Sequence, residues 1–72
     1  MAELTPHDNM NYQEALVVAM QAEKHAYMLY NDLAGKIDDV ALKDLFLALA
    51  QEEAKHKLRF EVEYDEHILT EN

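Results

Sequence analysis

Apolar and aromatic side chains recur along this chain at alternating intervals of four and three residues. Tyr12, Leu16, Ala19, Glu23, Ala26, Tyr30, Leu33 and Ile37 follow one another by 4, 3, 4, 3, 4, 3 and 4 residues, the spacing that keeps one helical stripe turned toward a partner helix. Leu42, Phe46, Leu49, Glu53, His56 and Phe60 repeat it as 4, 3, 4, 3 and 4, and beyond Phe60 the stripe drifts toward Tyr64 and Ile68. The pattern predicts two helices, over residues 11–34 and 39–68. Asn9 or Asn11 can cap the first, and Glu14 stands three residues after Asn11, as a capping box requires. Gly35 is placed to end that helix in a left-handed turn, and Asp38 or Asp39 can cap the second. A connection this short makes the helices antiparallel neighbours.

Composition narrows the picture. Among 72 residues there is one glycine and one proline, too few turn formers for a sheet protein, so the fold class is all-α: a helical hairpin over residues 11–72 behind an aperiodic N-terminal arm at 1–10. Fifteen acidic side chains against six basic ones leave a net charge of −9, which repels nucleic acid and anionic membrane surfaces alike. No run approaches the roughly 18 apolar residues of a spanning helix. The first residues are acidic and polar where a signal peptide would be basic and then apolar, so the expected location is the cytoplasm. The chain has no cysteine and no serine, which excludes disulfides, thiolate metal sites and a Ser-His-Asp triad.

The seam itself carries the candidate chemistry. Glu23 lies fifteen residues before Asp38 and Glu53 fifteen after it, so folding at Asp38 sets the two carboxylates abreast. His56 follows Glu53 by three residues, about 4.5 Å along the same face. A lone histidine on an apolar face is usually a hydrogen-bonded core residue, and a glutamate can reach the edge of an interface. All three at one level of an otherwise apolar seam are different, because burying two unpaired carboxylates costs several kcal/mol and calls for a counter-charge. A divalent cation supplies it. Glu52 is the competing carboxylate, but the stripe through Leu49 and Phe60 selects Glu53. Tyr27 and Tyr30, one and two turns from Glu23, are core residues by spacing or supports beside a metal. His25 points away from the seam, and His7 sits in the arm. Glu61, Glu63, Asp65, Glu66 and His67 crowd the end of the second helix, which reads as a solvated face or as an attractor of cations.

The pattern of Glu23 followed by Tyr27, Tyr30 and Leu33-Ala34, then Leu45-Phe46 and Leu49-Ala50-Gln51-Glu52-Glu53-Ala54-Lys55-His56, resembles the ferritin-like superfamily and, within it, the rubrerythrin-type di-iron carboxylate proteins. The resemblance runs over residues 12–64. Glu-x-x-His alone is a weak signal; a seam glutamate thirty residues upstream makes it fairly specific. Bundles of this kind draw a glutamate from each of two helices and a Glu-x-x-His from each of the other two, which Glu23 matches in the first role and Glu53 with His56 in the second. Two helices and no cysteine depart from a full rubrerythrin-like chain, which has four bundle helices and often a rubredoxin module. The half-length form is similar to encapsulin-associated ferritins, whose di-iron site is completed across a subunit interface, although no encapsulin-targeting tail follows Thr70. The chain could equally be the first half of a longer protein.

The resemblance therefore implies a homodimer, or a multiple of dimers, closing a four-helix bundle around two iron ions, with manganese or zinc compatible with the same donors. Four carboxylates would balance two divalent ions. The implied activity is Fe(II) oxidation by dioxygen or hydrogen peroxide, carried by Glu23, Glu53 and His56, with Tyr27, Tyr30 and Glu52 as supporting candidates. The alternatives are half of a rubrerythrin-like peroxidase and a non-enzymatic helical oligomerisation module whose seam polars only fix register.

Overall fold

The computed structural model describes residues 10–69, which form two α-helices of 25 residues each, α1 (Tyr12–Lys36) and α2 (Val40–Tyr64), and a π-helical turn at Asp65–Leu69 that continues α2. Of the arm expected at 1–10, only Met10 lies within the described residues. No strand occurs among them. The capping box at Asn11 starts α1: its side chain accepts from the Glu14 N–H at 2.8 Å, and Glu14 Oε1 accepts from the Asn11 N–H at 3.2 Å, so two otherwise unpaired helix donors are satisfied reciprocally. Asp39, the second candidate aspartate, caps α2 by accepting from the Leu42 N–H at 2.8 Å.

The end of α1 corrects one expectation. Gly35 does not turn left-handed; it stays helical, and the chain leaves the helix two residues later through Ile37 in an extended conformation (φ −118°, ψ 141°). The terminal carbonyls find a partner elsewhere. Lys43, from the first turn of α2, donates its ammonium to the Ala34 carbonyl at 2.7 Å, a charge-assisted bond at the negative end of the helix dipole. With that carbonyl satisfied from across the turn, a glycine-based cap is unnecessary.

One antiparallel register runs the length of the hairpin. Tyr30 and Phe46, each eight residues from Asp38, stack with ring centroids 6.2 Å apart and planes 16° from parallel. Glu23 and Glu53 face each other at the middle level. Near the open end the Gln13 side-chain amide donates to the Tyr64 hydroxyl at 3.0 Å.

The hairpin does not build a core of its own. Leu16, Ala34 and Ala50 are the buried apolar residues among those described, and no large side chain is fully buried. Leu45, Leu58 and Val40 remain 52%, 59% and 69% exposed. The shortest dimension of the molecule is 12 Å, the width of a single helical layer, so each helix covers one flank of the other and leaves the rest of the stripe open. No helix among the described residues is long and apolar enough to cross a membrane.

Candidate metal centre

Glu23 projects from the middle of α1, and Glu53 and His56 project from adjacent turns of α2. One ligand atom from each falls within 4.8 Å of the others, the one such group of three histidine or carboxylate residues among those described. His56 Nδ1 stands 3.6 Å from Glu23 Oε1 and 3.5 Å from Glu53 Oε1. Both carboxylate side chains are 21% exposed, whereas the imidazole is 49% exposed on the open face. The three residues named by the seam pattern are thus brought together.

The local electrostatics carry the mark of two acids sharing one place. The Glu23 carboxyl is held above the usual carboxylate range, chiefly because it shares a hydrogen bond with Glu53, then through partial desolvation and repulsion from the Glu53 charge, with His56 pulling the other way. A proton is the simplest cation that relieves the pair. A metal ion can replace it.

The supporting candidates are distributed differently. Glu52 turns outward, 56% exposed, with Lys55 Nζ at 3.6 Å. Tyr30 lies one level nearer the turn, stacked on Phe46. Tyr27 faces another cleft, among Lys24, Met28, Ala54 and Lys57. The centre instead opens into a cavity of about 500 Å³ that holds Glu23 and His56 at one end and runs past Leu16, Phe60 and Arg59 to Tyr12 and Glu63 at the other. Arg59 is a residue the seam pattern did not single out. Its signal was its place three residues after His56, on the next turn of the same flank.

The rubrerythrin family model matches residues 14–72. The chain belongs to the rubrerythrin family. No curated protein and no solved structure matches it at a significant level. Members of the rubrerythrin family usually bind iron, and the donor set of this chain fits such an ion on its own chemistry. Two carboxylate oxygens and one imidazole nitrogen are the hard and borderline ligands that suit iron and manganese, and zinc as well. Two carboxylates match the charge of one divalent ion.

Proposed function

We propose that this chain is a non-haem di-iron protein that binds and oxidises Fe(II) at a centre shared by two copies. The observation that carries the reading is the convergence of Glu23, Glu53 and His56 within 4.8 Å on a hairpin whose seam is otherwise apolar and whose flank at this level is open. Two copies facing each other would enclose four glutamates and two histidines, and two divalent ions would leave the layer neutral. The shallow core supports self-association, because a domain of this size without disulfides usually needs a metal or a second subunit for stability.

Within that centre Glu23 and Glu53 would hold Fe(II) through their carboxylates, and His56 would complete the set from the open side. Carboxylate-rich ligation favours the harder ferric product, which is the chemistry the site supplies to bound iron. Two Fe(II) lose one electron each, and hydrogen peroxide takes both with two protons to leave as water; dioxygen, taking the same two electrons and two protons, leaves as hydrogen peroxide. No protein electron donor is needed, in keeping with a chain that has no cysteine. Glu23 holds its proton above the ordinary carboxylate range, so iron uptake should release acid at those pH values where that proton is still bound.

The test is anaerobic loading with Fe(II), followed by air or peroxide, with ferric absorbance recorded alongside mass in solution. About two irons per dimer and oxidation faster than in buffer are expected for the native chain, and both are expected to disappear in Glu23→Ala and Glu53→Ala. Oxidation at the buffer rate, or a compact metal-binding monomer, would refute the shared centre.

A further inference from the structure

A second convergence of donors closes the open end of the hairpin. Tyr12, the first residue of α1, donates its hydroxyl to Glu63 Oε2, and His67 Nε2 lies 3.5 Å from the same oxygen. The Tyr12 and His67 rings meet edge to face, with centroids 6.2 Å apart and planes at 80°. A phenol, a carboxylate and an imidazole therefore meet at one atom, on side chains that are each roughly half exposed. The π-helical turn beginning at Asp65 carries His67, and wide turns of this kind often mark functional positions. Beside the group, the Gln13–Tyr64 hydrogen bond pins the two helix ends in register, so the donors rest on a braced frame.

Three features separate this group from a simple clasp between helix ends. The Tyr12–Glu63 pair alone would close the hairpin, and His67 adds a third donor to an oxygen already bonded. The residue types form a hard, anionic set apt for a trivalent ion once the phenol is ionised. The cavity that holds Glu23 and His56 also reaches Tyr12 and Glu63, so the two groups share one solvent space. Seven residues of helix, about 10.5 Å, separate His56 from Glu63, too far for one ion to touch both.

We infer that Tyr12, Glu63 and His67 form a second metal site, distinct from the Glu23–Glu53–His56 centre, which takes ferric iron. Its place as the next stop for ferric product rests on the oxidation proposed above; its capacity to hold Fe(III) does not. Binding breaks the Tyr12 O–H bond, forms a bond from the phenolate oxygen to Fe(III) and releases the proton to solvent, with no change of oxidation state. The neighbouring Glu63 carboxylate keeps the Tyr12 hydroxyl protonated above its ordinary range, first through their hydrogen bond and then through partial desolvation and its charge. A trivalent ion reverses that preference by its own field, whereas a divalent ion competes less well with the proton.

The probe is ferric citrate, added to the full chain and to the Glu53→Ala/His56→Ala double variant, which cannot oxidise Fe(II) at the centre. Both should develop a visible phenolate-to-Fe(III) charge-transfer band and retain about one extra iron per chain after desalting. Tyr12→Phe should lose the band, Tyr27→Phe and Tyr30→Phe should keep it, and Glu63→Gln should weaken retention by about tenfold or more, the scale on which metal sites respond to loss of a supporting carboxylate. Circular dichroism of each variant separates loss of binding from loss of fold. A native chain that shows no band, or a band that survives Tyr12→Phe, overturns the inference. A band that persists in the double variant upholds it even if Fe(II) oxidation at the first centre fails.

Discussion

Replacing Glu23 with glutamine should stabilise the metal-free protein and destabilise the metal-loaded one. In the metal-free state the Glu23 and Glu53 oxygens lie within 4.8 Å, on side chains 21% exposed. Two like charges at that separation repel by about 1 kcal/mol in water and about 3.5 kcal/mol at an effective dielectric constant of 20; partial exposure sets the expectation at about 1–3 kcal/mol. Glutamine keeps the shape and the hydrogen bond while removing the charge. The sign with pH follows from the raised Glu23 carboxyl: a group that holds its proton more tightly when folded contributes stability at low pH and loses it as the pH rises through the folded value. The advantage of Glu23→Gln should shrink as the pH falls and Glu23 takes up its proton, and should grow as the pH rises toward neutrality.

Thermal unfolding at fixed protein concentration, with and without excess Mn(II) as a redox-silent ion, measures both halves. Each kcal/mol corresponds to roughly 4–8 °C for a domain of this size. With metal the order should invert, because a ligand at 100 times its dissociation constant adds about 2.7 kcal/mol to a chain that binds it and the variant has lost a ligand. A variant no more stable than the native chain at pH 7.5 without metal would falsify the repulsion argument. An advantage that did not change between pH 4 and 7.5 would show that its source is not the shared proton.

Other outcomes follow from particular contacts. Glu52→Gln should leave metal stoichiometry unchanged by elemental analysis, whereas His56→Ala should abolish it; the reverse would move the centre to the outer carboxylate. Gly35→Ala should stabilise the fold by about 0.5–1 kcal/mol in urea unfolding, since Gly35 is helical and a methyl group there meets nothing within 4 Å; a loss would mean that the residue needs a left-handed turn after all. Lys43→Met should cost about 0.5–1.5 kcal/mol in the same assay by freeing the Ala34 carbonyl. Asn11→Ala should cost about 0.5–2 kcal/mol by opening the capping box at the start of α1.

Much of the hairpin was legible because its signals are local or strictly periodic. The seam spacing fixes which face each helix turns inward, and the short connection at Asp38 then sets the register without further information. Tyr30 against Phe46 and Glu23 against Glu53 follow from that arithmetic alone. The capping box at Asn11 is a four-residue signal and could be read as such. Gly35 misled for the complementary reason: the bond from Lys43 that ends α1 comes from the other helix, and no local pattern announces it. Tyr12, placed on the seam as core, is 50% exposed, since a layer one helix thick cannot cover its own end.

The far-end group shows how the same arithmetic could have gone further. Continued past Glu23 and Glu53, the register sets Tyr12 opposite Tyr64, one residue from Glu63, and a histidine four residues beyond Glu63 falls on the same flank; Tyr12, Glu63 and His67 are found together. Composition hid them. Glu63 and His67 sit in a run with Glu61, Asp65 and Glu66, where acidity alone suggests a solvated helix end, and Tyr12 took its meaning from an apolar stripe. Polar residues in an apolar seam announce themselves by contrast; those in a polar segment are distinguished only by the partner that the register brings to them. For a short antiparallel hairpin, the stronger question to put to a sequence is therefore which residues stand at and beside the mirror position across the turn.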